Sequence, residues 1–220
     1  PEKLYKADQL IQDNDFFDRI LYQGQSEKSK GERIAIIGES GAGKTTLLQK
    51  IADWLLNTHN QIVIWVSLSN LQNKTLKQYL EEDWLEAALP YISSDTANVN
   101  QAIKDAFAQL FNNGRVWLLL DGVDEINVST VNPLNIIAQQ LTSWVAKARV
   151  VVTCRLNIWD TDNNPLERFD TFRTREFTTP EQVENFVSNW LKKVSNKSAK
   201  QLQMALKQDG RERLQDLVRN

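Results

Sequence analysis

Gly38-Glu-Ser-Gly-Ala-Gly-Lys-Thr45 decides how the rest of the chain is read. It matches the phosphate-loop pattern G-x-x-x-x-G-K-[ST] at each fixed position and stands in the setting that pattern needs. The apolar run Arg33-Ile-Ala-Ile-Ile37 before it reads as a buried strand. After it, from Lys44 to Leu56, the residues Leu47, Leu48, Ile51, Ala52 and Leu55 recur on one helical face. The glycines let the backbone wrap so that successive N–H groups converge on phosphate oxygens. The expected phosphate lining is Gly38, Glu39, Ser40, Gly41, Ala42, Gly43, Lys44, Thr45 and Thr46. Lys44 supplies a cation for the β- and γ-phosphates, and the Thr45 hydroxyl is a ligand for Mg²⁺. The helix beginning at Lys44 turns its positive dipole end toward the anion.

Further strand signals lie at Gln61-Ile-Val-Ile-Trp-Val-Ser-Leu68, Val116-Trp-Leu-Leu-Leu120 and Arg149-Val-Val-Val-Thr153, with a shorter candidate at 172–177. Helical patterns fall near 75–89 and 98–112 and over 133–147. Residues 8–22 have a helix-like spacing through Leu10, Ile11, Phe16, Phe17, Ile20 and Leu21. Apolar strands alternating with amphipathic helices predict an α/β fold, a parallel sheet covered on both faces. From Thr178-Thr-Pro-Glu onward only helical patterns remain. The expected organisation is a leader helix and linker over 1–30, a nucleotide-binding domain over 31–177, and a truncated helical domain over 178–220.

The second half of a phosphate-loop site is an apolar strand ending in aspartate, here Trp117-Leu-Leu-Leu-Asp121. Asp121 is expected to hold Mg²⁺, usually through water. Asp121-Gly-Val-Asp-Glu125 then sets a residue without a side chain beside that aspartate, followed by two more acids. A carboxylate just past the metal aspartate can orient or deprotonate an attacking water, and Asp124 and Glu125 are both candidates. Arg155 ends the strand Arg149-Val-Val-Val-Thr-Cys-Arg155. Parallel strands gather their carboxyl ends at the ligand crevice, so its guanidinium can read whether a γ-phosphate is present. Cys154 reads as a small buried strand residue.

Together, Gly38–Thr45, Asp121-Gly-Val-Asp-Glu125 and Val150-Val-Val-Thr-Cys-Arg155 resemble the NACHT domain of the STAND class of P-loop NTPases. Phe177-Thr-Thr-Pro-Glu-Gln-Val-Glu-Asn-Phe-Val-Ser-Asn-Trp190 is similar to the start of that family's helical domain. The resemblance implies a three-layer P-loop NTPase sandwich whose five-stranded parallel sheet has the order 5-1-4-3-2, the arginine strand lying between the phosphate-loop and Asp121 strands. It also implies a switch held closed with ADP that opens and homo-oligomerises with ATP, within a larger signalling or defence protein.

Composition narrows the field. With 41% hydrophobic and 25% charged residues the chain is an ordinary globular one, not a disordered one. A net charge of −2 gives no general attraction to nucleic acid or to anionic lipid, and no apolar run is long enough for a membrane span. The single cysteine excludes an internal disulfide and fits a cytoplasmic protein. His59, the only histidine, is not enough for a catalytic triad or a His-rich metal site. The chain begins at Pro1 and stops at Asn220 in mid-pattern, so it is expected to be a piece of a larger protein whose other domains are its partners. No Asn-Lys-x-Asp element for guanine is present, which favours ATP and ADP as the nucleotides. The function expected is a slow ATPase switch. A nucleotide-locked scaffold without hydrolysis and, less favoured, a P-loop kinase remain as alternatives.

Overall fold

The computed structural model describes residues 11, 15–59, 61–71, 74–92, 101–126, 132–161 and 163–174. The helical domain expected over 178–220 lies outside the described residues, as does most of the segment before Asp15. Within them five strands form one parallel sheet: β1 (Arg33–Gly38), β2 (Ile62–Ser67), β3 (Val116–Asp121), β4 (Arg149–Arg155) and β5 (Asp170–Arg173). Their order is β2-β3-β4-β1-β5, the expected order read from the other edge.

Strand parity assigns the core. Successive side chains of a strand point to opposite faces. Ala35 and Ile37 of β1, Leu118 and Leu120 of β3, and Val150, Val152 and Cys154 of β4 fall in one buried cluster. Their alternates Ile34, Ile36, Trp117, Leu119 and Val151 fall in a second. Both faces must therefore be covered. The helix Lys44–His59 closes the second face with Leu48, Ile51 and Leu55. Phe16, Phe17 and Leu21 of the wide-turned helix Phe16–Tyr22 join the same cluster, Phe16 meeting Phe172 of β5 edge to face at 4.9 Å. The first face is covered by helical segments over 76–92, by Gln101–Asn112, and by Pro133–Gln140 with the turn Ser143–Lys147.

Two elements differ from the expectation. The helix read over 133–147 is broken: it stops at Gln140, and a 3₁₀ turn takes over at Ser143, whose φ is +56°. The apolar periodicity continues across the break because Leu134, Ile137 and Val145 still face one core. The last strand, read over 172–177, starts earlier, at Asp170, where its pairing with β1 begins at Ile34↔Asp170; it is described over Asp170–Arg173, and 175–177 lie outside the described residues. The Thr174 backbone N–H then donates to the Ile37 carbonyl at 2.8 Å.

Asp170 also fastens the segment before β1. Its carboxylate accepts the backbone N–H groups of Lys28 (2.9 Å) and Ser29 (2.8 Å) and the Ser29 hydroxyl (2.6 Å). Burial alone pushes this carboxyl up, but the hydrogen bonds from Ser29, Ser26 and Lys28 outweigh it and hold it below the usual carboxylate range. His59 closes its helix by stacking on Tyr22 at 4.2 Å and meeting Trp54 edge-on at 4.3 Å. None of the described helices is long and apolar enough to cross a membrane.

Candidate functional site

The strand order changes direction at β1. Four strands run from β2 to β1, and β5 lies on its other side. Parallel sheets leave a crevice at such a point, beyond the strands' carboxyl ends. Gly38 ends β1 there, and the turn Glu39–Gly43 carries the chain into the helix that starts at Lys44. Gly43 has φ +80°, a backbone few other residues adopt, and a Cβ added to it would meet nothing within 4 Å. The loop is therefore open on the side where a ligand would sit. The Lys44 ammonium reaches back over this loop, donating to the carbonyls of Gly38 (3.0 Å) and Glu39 (2.7 Å). Glu39, Ser40, Gly41, Thr45 and Thr46 are exposed, and Ala42 is half-buried.

The acids arrive from β3 by the same parity that built the core. Asp121 shares a face with Trp117 and Leu119, the face under the helix Lys44–His59. Its Oδ1 accepts the Thr45 hydroxyl at 3.1 Å. This brings two hard oxygen donors, a hydroxyl and a carboxylate, to one point beside the open loop. Mg²⁺ takes such ligands, a few from protein and the rest from water and phosphate, so the residues present fit that ion. They would also hold a nucleotide's phosphates through Lys44 and the loop amides.

Thr153 is the site residue that motif reading passed over. The β3–β4 register Leu120↔Val152 brings Thr153 beside Asp121 one step later. Its hydroxyl donates to Asp121 Oδ1 at 2.6 Å and accepts the Gly122 backbone N–H at 2.7 Å, and the residue is only 1% exposed. A buried hydroxyl with both functions used is a strong positional constraint. It stands inside Val150-Val-Val-Thr-Cys-Arg155, but that motif gave it no role; the only signal was a polar residue within a mostly apolar strand.

Beyond Asp121 the chain turns sharply. Gly122 has φ +79°, and the Glu125 backbone N–H returns to its carbonyl at 2.9 Å. A Cβ on Gly122 would lie 2.8 Å from Glu125 Cδ and 2.9 Å from its Oε2. The missing side chain is thus the space into which the Glu125 carboxylate folds. Asp124 goes elsewhere. Its Oδ1 accepts the Arg155 backbone N–H at 3.1 Å, and its Oδ2 lies 2.7 Å from Arg155 Nε. The two acids that looked equivalent in the sequence have different neighbours. Arg155 stands level with Gly38 in the β1–β4 register, at the mouth of the phosphate loop. Cys154 points to the opposite face, into the core. Burial, aided by the Asp124 charge, pushes its thiol up to about 12, so the sulfur stays protonated.

Lys44, Thr45, Asp121, Asp124, Glu125 and Arg155 therefore all gather at the carboxyl ends of β1, β3 and β4. The family model described as "NACHT domain" matches residues 32–194. No curated protein matches the sequence significantly. Solved structures that resemble the chain include AMPPCP-bound DnaA from Aquifex aeolicus, at 15% identity and TM-score 0.44 over 88% of this chain and 57% of that one. A Walker-type ATPase of Pyrococcus abyssi matches at 12% identity and TM-score 0.47, over 79% of this chain and 57% of that one. The Drosophila ORC bound to AT-rich DNA and Cdc6 matches at 17% and 0.41, over 88% and 67%. The chain thus spans little more than half the length of the first two. With its family match running through the phosphate loop, the acids after β3 and the arginine that ends β4, the protein belongs to the NACHT domain family of STAND-class P-loop NTPases.

Proposed function

We propose that this chain is the ATP-binding, Mg²⁺-dependent switch module of a larger cytoplasmic signalling or defence protein, and that it hydrolyses ATP slowly. The observation that carries this reading is the meeting of Thr45 and Asp121 at 3.1 Å beside a loop that Lys44 spans. Mg²⁺, when bound, neutralises charge on the phosphates. The chain's own residues do the rest. Loop amides and Lys44 bind the phosphates, Thr45 and Asp121 orient the metal, and Thr153 fixes the Asp121 carboxylate. The carboxylate of Glu125, folded against Gly122, orients a water and accepts its proton in this reading. Arg155 reads the third phosphate from the end of β4. Slow turnover and ATP-dependent homo-oligomerisation belong to the reading through the family's switch role.

Single-turnover hydrolysis of γ-labelled ATP tests the enzymatic part. The expected result is that Glu125→Gln keeps ATP binding and loses hydrolysis by roughly two orders of magnitude or more, the size of a general-base contribution. Binding without any hydrolysis in the wild type would favour the nucleotide-locked scaffold.

A further inference from the structure

We infer that Asp124 is the positioning residue of Arg155: it holds the guanidinium at the phosphate-loop mouth and so sets the preference for a triphosphate over a diphosphate nucleotide. This rests on the nucleotide-binding reading and assigns one of its two open acids.

Both oxygens of the Asp124 carboxylate are committed to one residue. Oδ1 takes the Arg155 backbone N–H, and Oδ2 takes Nε of its side chain. The Asp124 side chain is 9% exposed and that of Arg155 is 51% exposed, so a sheltered carboxylate holds a half-exposed guanidinium. Among the described residues neither Nη group makes a hydrogen bond. A guanidinium held through Nε keeps its two terminal nitrogens for a further anion, and its planar fork suits phosphate oxygens. The β1–β4 register, Gly38↔Arg155, sets that fork beside the loop. An arginine side chain otherwise loses several rotors when it meets a ligand, and fixing them in advance raises affinity for the anion that needs them. With both Asp124 oxygens turned to Arg155, Glu125 is the acid left to meet a water.

The test is a double-mutant cycle on the ratio of ATP to ADP affinity, measured with fluorescent nucleotide analogues in the presence of Mg²⁺. Arg155→Ala is expected to lower the ATP preference about tenfold, the worth of one charge-assisted phosphate contact. Asp124→Ala is expected to lower it comparably, and the double variant no further than either single one. Asp124→Asn keeps the shape but loses the charge. It should repeat the loss, and it keeps the cycle usable if Asp124→Ala unfolds. An unchanged ATP to ADP ratio in Asp124→Ala with slower hydrolysis would place Asp124 on the water and overturn the proposal. A raised ATP preference would overturn it too, since Asp124 would then compete for Arg155. A wild type that binds neither nucleotide would instead reject the nucleotide reading on which the proposal rests.

Discussion

The Thr153 hydroxyl donates to Asp121 Oδ1 at 2.6 Å while accepting the Gly122 backbone N–H at 2.7 Å. One buried oxygen thus ties the end of β4 to Asp121 and to the turn that follows it. Thr153→Val keeps the volume and removes this oxygen, leaving a buried N–H without its acceptor. The expected cost is about 1–3 kcal/mol of unfolding free energy, together with weaker Mg²⁺ dependence of nucleotide binding. Urea unfolding and a Mg²⁺ titration check both, and Thr153→Ser should recover most of each. Equal behaviour of the valine and serine variants would show that the hydroxyl has no such part.

Gly122→Ala meets two obstacles. The φ of +79° disfavours a side chain, and the new Cβ would press on Glu125 at 2.8 Å. We expect a loss of about 1–3 kcal/mol in stability and a displaced Glu125 carboxylate. Hydrolysis should therefore fall more than nucleotide binding does. The comparison of single-turnover rates with nucleotide affinities in this variant checks it, and a fully active alanine variant would contradict the packing described.

Asp170 predicts a pH dependence. Burial pushes its carboxyl up, the bonds from Ser29, Ser26 and Lys28 outweigh burial, and its folded value ends below the unfolded one. Such a group contributes stability above the unfolded carboxylate value, about 3.9, and that contribution disappears as pH falls through the folded value. Asp170→Asn should therefore be less stable than the wild type at neutral pH, with the two converging in acid. Urea unfolding across this range reads the difference. A constant offset between the two proteins down to strongly acidic pH would show that ionisation is not the cause.

Much of this arrangement is legible in the sequence where one residue type suffices for one role. The phosphate loop declares itself by glycine and Lys-Thr spacing, and β3 and β4 by apolar runs that end in a charged residue. Thr153 and the Asp124–Arg155 pair are not legible that way, because their partners are 32 and 31 residues away in sequence and meet only through sheet register. The break after Gln140 was hidden for a different reason. Leu134, Ile137 and Val145 keep facing the core on either side of it, so periodicity alone reads one helix.

Equilibrium binding of ATP in the presence of Mg²⁺, compared between the wild type and Lys44→Ala, asks whether the phosphate loop holds the nucleotide. Lys44 spans the loop through the Gly38 and Glu39 carbonyls and is the cation expected to meet the phosphates. Saturable binding is expected for the wild type, and its loss, by about a hundredfold or more in affinity, in Lys44→Ala that remains folded. Undiminished binding by the folded alanine variant would contradict it.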